Sequence, residues 1–166
     1  MQTAQNTILV TGGGSGIGRG LAESFHRLGN QVIIAGRRRE QLENVAAANP
    51  GMQLLTLDQS DAADIERFAT EASQRHPDLN VLINNAGIQY SEDLTAGRVA
   101  DAEAMIITNL LGPIRLTAAL LPRSGHGTRR CERTLEFGCG LRRVLGPLRP
   151  FVVRLPTVLR GCPQMP

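Results

Sequence analysis

The sequence predicts an α/β fold: a parallel sheet covered by helices on both faces. Three observations carry this. Short runs of consecutive apolar residues, as in strands buried on both sides, alternate with segments of helical period. Turn-forming residues fall at the junctions. A glycine-rich stretch, "TGGGSGIGRG" (11–20), lies between the first apolar run and the first helical segment.

The elements follow in order. "NTILV" (6–10) reads as a buried strand. "GIGRGLAESFHRLGN" (16–30) reads as a helix, with Ile17, Leu21, Phe25 and Leu28 recurring at spacings of three and four and Gly29 as its stop. "QVIIAG" (31–36) is a second strand. "RREQLENVAAAN" (38–49) is a second helix, ended by Asn49-Pro50-Gly51. "MQLLTLD" (52–58) is a third strand. Ser60 is expected to cap a third helix, 61–76, that places Ile65, Phe68, Ala69 and Ala72 on one face. "LNVLINNAG" (79–87) is a fourth strand running into a polar turn. Residues 99–121 read as one long helix, bent or locally broken at Gly112-Pro113, where proline removes a hydrogen bond.

After Pro122 the pattern stops. No helical period appears, and only "PFVVRL" approaches a strand. Residues 123–166 are expected to be a poorly ordered Arg/Pro-rich tail, against a folded portion over 1–122. Charge changes at the same place. Residues 1–122 hold nine arginines and thirteen acids, and residues 123–166 hold nine arginines and two acids. All 18 basic Lys or Arg positions are arginine, so the chain has no lysine.

The remaining totals narrow the class. A chain of 166 residues suits one domain, and a hydrophobic content of 42% suits a soluble globular protein. Cys131, Cys139 and Cys162 have no C-x-x-C spacing, so free thiols in a reducing compartment are expected and no metal site is read. No secretory signal and no membrane-spanning run is present, which makes the cytoplasm the default location.

The glycine turn carries the first chemistry. Gly12 permits the tight turn leaving the strand, Gly16 lets backbone approach a pyrophosphate, and Gly18 lets the helix pack closely on the sheet. The helix N-terminus, with its unpaired N–H groups, then faces the phosphates. Position after a strand and at a helix start distinguishes this string from an ordinary glycine-rich loop.

On these residues the sequence resembles the short-chain dehydrogenase/reductase family. "TGGGSGIG" (11–18) matches that family's glycine turn, and "NNAG" (84–87) its second signature. "LD" (57–58) resembles the acidic position after its third strand, and "NLLGPIRLTAALLP" (109–122) its central helix. The resemblance covers residues 6–122. It implies a Rossmann-like doubly wound parallel sheet, truncated here after the fourth strand and long central helix, and a nicotinamide dinucleotide cofactor. By the same resemblance Ser15 and Ile17 contact phosphate or ribose, Asp58 the adenine, and Asn84, Ala86 and Gly87 the adenosine and ribose side. Asn84 and Asn85 could equally tie neighbouring strands together.

The cofactor's identity is read at the end of the second strand. NAD-binding folds usually place a carboxylate there for the ribose 2′-OH. Here the residues are Gly36, Arg37, Arg38 and Arg39. Arg37 could pair with a 2′-phosphate, which favours NADP(H) over NAD(H). The bland alternative is a solvated helix start.

The family's proton chemistry is not matched. Its Tyr-x-x-x-Lys needs a lysine, Tyr90 is the sole tyrosine and lies far upstream, and Ser124 falls too early for the family's serine. Asn109 alone corresponds, either as a remnant of a proton relay or as a polar residue bonding backbone freed near Gly112-Pro113. The resemblance therefore implies an NAD(P)(H)-dependent short-chain oxidoreductase of which this chain holds the cofactor-binding half only, expected to be catalytically inactive. The alternative is a non-catalytic nucleotide-binding or interaction module, including self-association through the apolar face of the central helix. Nucleic acid is disfavoured as a partner, because the basic tail interleaves only Phe137 and Phe151. Without further strands the fourth strand is expected to be an open edge.

A reading-frame shift near residue 123 would explain the abrupt change. Codons for residues 155–159, read one base earlier, are compatible with Pro-Thr-Tyr-Cys-Ala. The gene's alternative frame beyond codon 122 is expected to encode a Tyr-x-x-x-Lys; a frame without one sinks the idea.

Overall fold

The computed structural model describes residues 4–90 and 99–121 and, as backbone, 151–154. Its elements are β1 (Thr7–Thr11), α1 (Gly16–Arg27), β2 (Gln31–Gly36), α2 (Arg39–Ala48), β3 (Gln53–Thr56), α3 (Ala62–Arg75) and β4 (Leu79–Asn84). A central helix follows in three parts: α4 (Ala100–Ile106), a π turn (Ile107–Leu111) and α5 (Gly112–Leu120). Strand β5 (Phe151–Arg154) completes the set.

The sheet order is β3-β2-β1-β4-β5. The first four strands are parallel, as expected from the alternation of elements. Strand alternation divides the core into two layers. Leu9, Ile33, Leu55 and Leu82 point to one face, where Ile65, Phe68, Ala69 and Ala72 of α3 and Leu116 and Leu120 of α5 cover them. Ile8, Val10, Val32, Ile34, Val81 and Ile83 point to the other, under Ala22 of α1 and Leu42 and Val45 of α2. Burial on both faces is why the central stretches of β1, β2 and β4 (Ile8–Val10, Val32–Ala35 and Val81–Ile83) are runs of consecutive apolar residues. Each fully buried Leu, Ile or Phe contributes ~1.5–3 kcal/mol.

Four expectations are corrected in detail. On α1, Ile17 and Leu28 are exposed, at 57% and 53%, while Gly18 and Ala22 are buried. Gly18 and Ala22 make the closest contact with the sheet, Leu21 and Phe25 pack beside them half-buried, and the contact face is turned so that Ile17 and Leu28 fall outside it. The cap of α3 is Asp61, whose carboxylate accepts from the Ala63 N–H at 2.9 Å. Ser60 instead donates to Asp58 from both its hydroxyl and its backbone, at 2.6 and 2.9 Å. The break in the central helix lies before Gly112-Pro113: the Gly112 N–H reaches back five residues to the Ile107 carbonyl, and Pro113 then sits in the first turn of α5, where its missing N–H is tolerated. Finally, the outer edge of β4 is not open. Phe151–Arg154 pairs with it antiparallel, Phe151 beside Asn84 and Arg154 beside Val81. Unpaired backbone groups along a sheet edge favour such an addition, and the segment is the one strand-like stretch of the tail. The other expectations for 122–150 and 155–166, including the three cysteines and Ser124, lie outside the described residues.

Local polar groups close the ends of the sheet. The β1–β4 pairing slips by one residue after Thr7, opposite Asn80. The Asn80 side chain accepts the Thr7 N–H at 3.1 Å. At the outer edge of β3, Arg67 donates to the Thr56 carbonyl at 3.0 Å. Among the described residues no helix is long and apolar enough to cross a membrane.

His76 closes α3 and is 7% exposed, and its Nε2 has no partner among the described residues. Burial, and then the charge of Arg75, holds its imidazole below the ordinary value of 6.5, against a smaller opposing pull from Glu71. A depressed folded-state value means that the neutral ring stabilises the fold. That contribution is fully present above 6.5 and is lost as pH falls from there through the folded-state value. Urea unfolding of the parent and of His76→Gln at about pH 8 and about pH 5 is expected to show a smaller acid loss in the variant. Equal losses would show that His76 does not titrate with folding.

Candidate functional site

Parallel strands bring their carboxyl ends to one side. From β1 the chain crosses to β2 on one flank, whereas β4 adds on the other. A crevice opens between β1 and β4, where the direction of connection reverses and where ligands of such sheets bind. The glycine turn fills its mouth.

The turn is shaped by close approach. A Cβ on Gly18 would run into the Gly12 carbonyl oxygen and the Asn85 side-chain amide. The first turn of α1 therefore lies directly on the end of β1. Gly16 has a φ of +55°, and a Cβ there would meet nothing within 4 Å, so the backbone at the helix start faces open space. Ser15 occupies the cap position of α1, but its side chain does not cap the helix. Its hydroxyl accepts from Arg38 Nη2 at 3.2 Å. Ser15, Gly16 and Ile17 are all exposed. The first N–H groups of α1 thus open outward beside a guanidinium.

Beneath the turn, Thr11 joins β1 to the loop after β4. It is fully buried. Its Oγ1 accepts the N–H groups of Asn85 and Ala86, both at 3.0 Å. The Asn85 side chain donates to the Thr11 carbonyl at 2.9 Å. Asn84 is buried and donates to Thr117 Oγ1 of α5 at 3.3 Å. The two asparagines thus tie elements together, one toward β1 and one toward the central helix. Ala86 is half-buried and Gly87 exposed on the loop that follows.

Beyond β2, Arg37 is exposed, and its charge acts on Asp58 at the end of β3. Partial burial pushes the Asp58 carboxylate up, but the Ser60 hydrogen bonds and the Arg37 charge outweigh it and hold the group below its ordinary value. Asp58 is held ionised where a ligand at the strand ends would meet it.

Asn109, in the π turn, grips the loop after β4. Its Oδ1 accepts the Ile88 N–H at 2.9 Å and its Nδ2 donates to the Ile88 carbonyl at 2.8 Å. One turn earlier, Met105 Sδ accepts the Tyr90 N–H at 3.4 Å. Asn109 therefore does not bond backbone freed near Pro113. Gln59 does so instead, donating to the Thr108 carbonyl at 2.9 Å.

Thr11 and Gln59 were given no role by sequence reasoning, and Arg38 only a place in the arginine run after β2. Thr11 left one signal, a polar residue closing an apolar strand. Gln59 left none, and nothing in the arginine run pointed to Ser15, because these partners stand 49 and 23 residues away.

A sequence model of the short chain dehydrogenase family matches residues 6–129. The oxidoreductase DltE of Bacillus subtilis is 36% identical over 125 residues, which are 74% of this chain and 49% of that protein. Dehydrogenase/reductase SDR family member 7B of Bos taurus is 36% identical over 134 residues, covering 72% of this chain and 41% of that protein. A short-chain dehydrogenase from Streptomyces avermitilis superposes with a TM-score of 0.67 at 34% identity, over 74% of this chain and 46% of that one. The Pseudomonas aeruginosa RhlG/NADP active-site complex superposes with a TM-score of 0.67 at 29% identity, over 74% of this chain and 50% of that one. The chain spans about half the length of the curated relatives it matches. The glycine turn, the sheet order and the central helix, together with these matches, establish that the chain belongs to the short-chain dehydrogenase/reductase family.

Proposed function

We propose that this chain binds a nicotinamide dinucleotide at the carboxyl ends of β1–β4, prefers NADP(H) to NAD(H), and does not turn over carbonyl substrates by itself. One observation carries the proposal. Two exposed guanidiniums, Arg37 and Arg38, follow β2 where a carboxylate would exclude a 2′-phosphate, and Arg38 already reaches Ser15 at the open start of α1. The residues present fit the cofactor. The outward N–H groups around Ser15–Ile17 would hold the pyrophosphate, Arg37 and Arg38 the 2′-phosphate, Asp58 the adenine, and Ala86 and Gly87 the ribose side. Asn84 supports that loop from below. When bound, the nicotinamide would supply the hydride chemistry. Asn109 would orient the loop, but no lysine exists in the chain to complete the family's Tyr-x-x-x-Lys. A cytoplasmic setting, where the dinucleotide is available, belongs to the same proposal.

Fluorescence titration with NADPH tests binding, and NADPH oxidation with a panel of aldehydes and ketones tests turnover. Saturable binding without oxidation above a no-protein blank is expected. Arg38→Ala and Arg37→Ala should each weaken NADPH about tenfold, from losing one charge-assisted contact of ~1.5 kcal/mol, and leave NADH within about twofold. Equal losses for both cofactors would remove the preference for NADP(H), and clear oxidation would overturn inactivity.

The central helix favours an additional partner, a second copy of the chain. Ile106, Leu110 and Ile114 recur every fourth residue and are 53%, 47% and 48% exposed. Sedimentation is expected to show a dimer, and Leu110→Asp a monomer that still binds NADPH. A monomeric parent would end that proposal.

A further inference from the structure

We propose that Gln59 is a positioning residue: it holds the wide turn of the central helix and thereby aims Asn109 at the loop after β4. The consequence for ligand binding rests on the function proposed above, but the positioning itself does not.

Gln59 directly follows Asp58 and is 4% exposed. Its side chain crosses to the central helix, where Nε2 donates to the Thr108 carbonyl. That carbonyl lacks a main-chain donor for a definable reason. In a π turn its partner would be the N–H five residues on, at position 113, and proline has none. The Gly112 N–H, which an α-helix would give to Thr108, is already committed to Ile107. Gln59 supplies the missing donor from outside the helix.

The same residue locates the helix laterally. A Cβ on Gly112 would come within 2.5 Å of Gln59 Cγ and 2.6 Å of its carbonyl oxygen. Helix and loop therefore touch through a glycine on one side and an amide on the other.

Asn109 is the residue next to Thr108. A π turn inserts one residue, which offsets the helix before it from the helix after it by about 100°. Leu116 and Leu120 fasten α5 in the core. If Thr108 took the Gly112 N–H instead, the segment carrying Asn109 would rotate by about that angle and leave Ile88. Gln59 thus links the strand end that carries Asp58 to the helix that clamps Ile88, so the two flanks of the crevice are set together.

Gln59→Met keeps the length of the side chain and removes the donor. Pro113→Ala restores an N–H five residues beyond Thr108. Amide exchange of the full-length protein by NMR reads the clamp at Ile88 and general stability at Leu9. Gln59→Met should speed exchange at Ile88 about tenfold relative to Leu9, and Gln59→Met/Pro113→Ala should bring it back to within about threefold of the parent. Unchanged protection of Ile88, equal acceleration at Leu9, or no recovery in the double variant would each overturn the proposal. Should Gln59→Met not fold, recovery of folding in the double variant supports the donor role and its absence refutes it. NADPH titration of the same variants separates the two readings: intact Ile88 coupling without any NADPH binding defeats the proposed function and leaves the positioning role standing.

Discussion

The site depends on the close contact between the start of α1 and the ends of β1 and β4. Gly18 has no side chain, and the Gly12 carbonyl and the Asn85 amide occupy the place where one would be. Only this approach lets the first turn of α1 lie over the β1–β4 crevice with its N–H groups turned outward. Thr11 consolidates it from below by accepting two loop N–H groups with one hydroxyl. Each of these groups is buried or half-buried, and a buried donor left unpaired costs roughly 1–3 kcal/mol. Turn, strand and loop therefore hold one another in place.

A second constraint governs the far flank. The central helix is not a uniform rod: its parts meet at a turn one residue too wide for an α-helix. Proline explains why the wide turn leaves a carbonyl unpaired, and Gln59 explains how that carbonyl is satisfied. The outcome is a helix that presents Asn109 inward to the loop while Leu116 and Leu120 remain packed under the sheet. The residues just outside the core, Ile106, Leu110 and Ile114, are left in solvent.

The sheet also differs from a simple half of a doubly wound fold. The relatives are about twice as long as the matched region. In this chain an antiparallel strand from the C-terminal segment lies on β4. Edge pairing requires only an extended apolar stretch and main-chain hydrogen bonds, so it places little demand on side-chain identity. That tolerance lets a stretch outside the family pattern occupy the edge.

Much of the architecture was legible from local pattern. Apolar runs located the four parallel strands because both of their faces are buried, and the glycines marked the turn because Gly12 and Gly18 stand where a Cβ would collide and Gly16 has a positive φ. The lack of a lysine and the charge change after Pro122 were likewise plain in the residues themselves. Tertiary structure alone decided the rest. It buried Gly18 and Ala22 of α1 with Leu21 and Phe25 beside them and left Ile17 and Leu28 exposed, chose Asp61 over Ser60 as a cap, moved the helix break upstream of Pro113, paired Phe151–Arg154 with β4, and assigned Gln59 and Arg38 their partners. The physical reason is the range of the interactions. Periodicity and steric freedom act within a few residues, whereas a buried carbonyl, an open edge or a guanidinium is satisfied by whatever group the folded chain brings within about 3 Å, however distant in sequence.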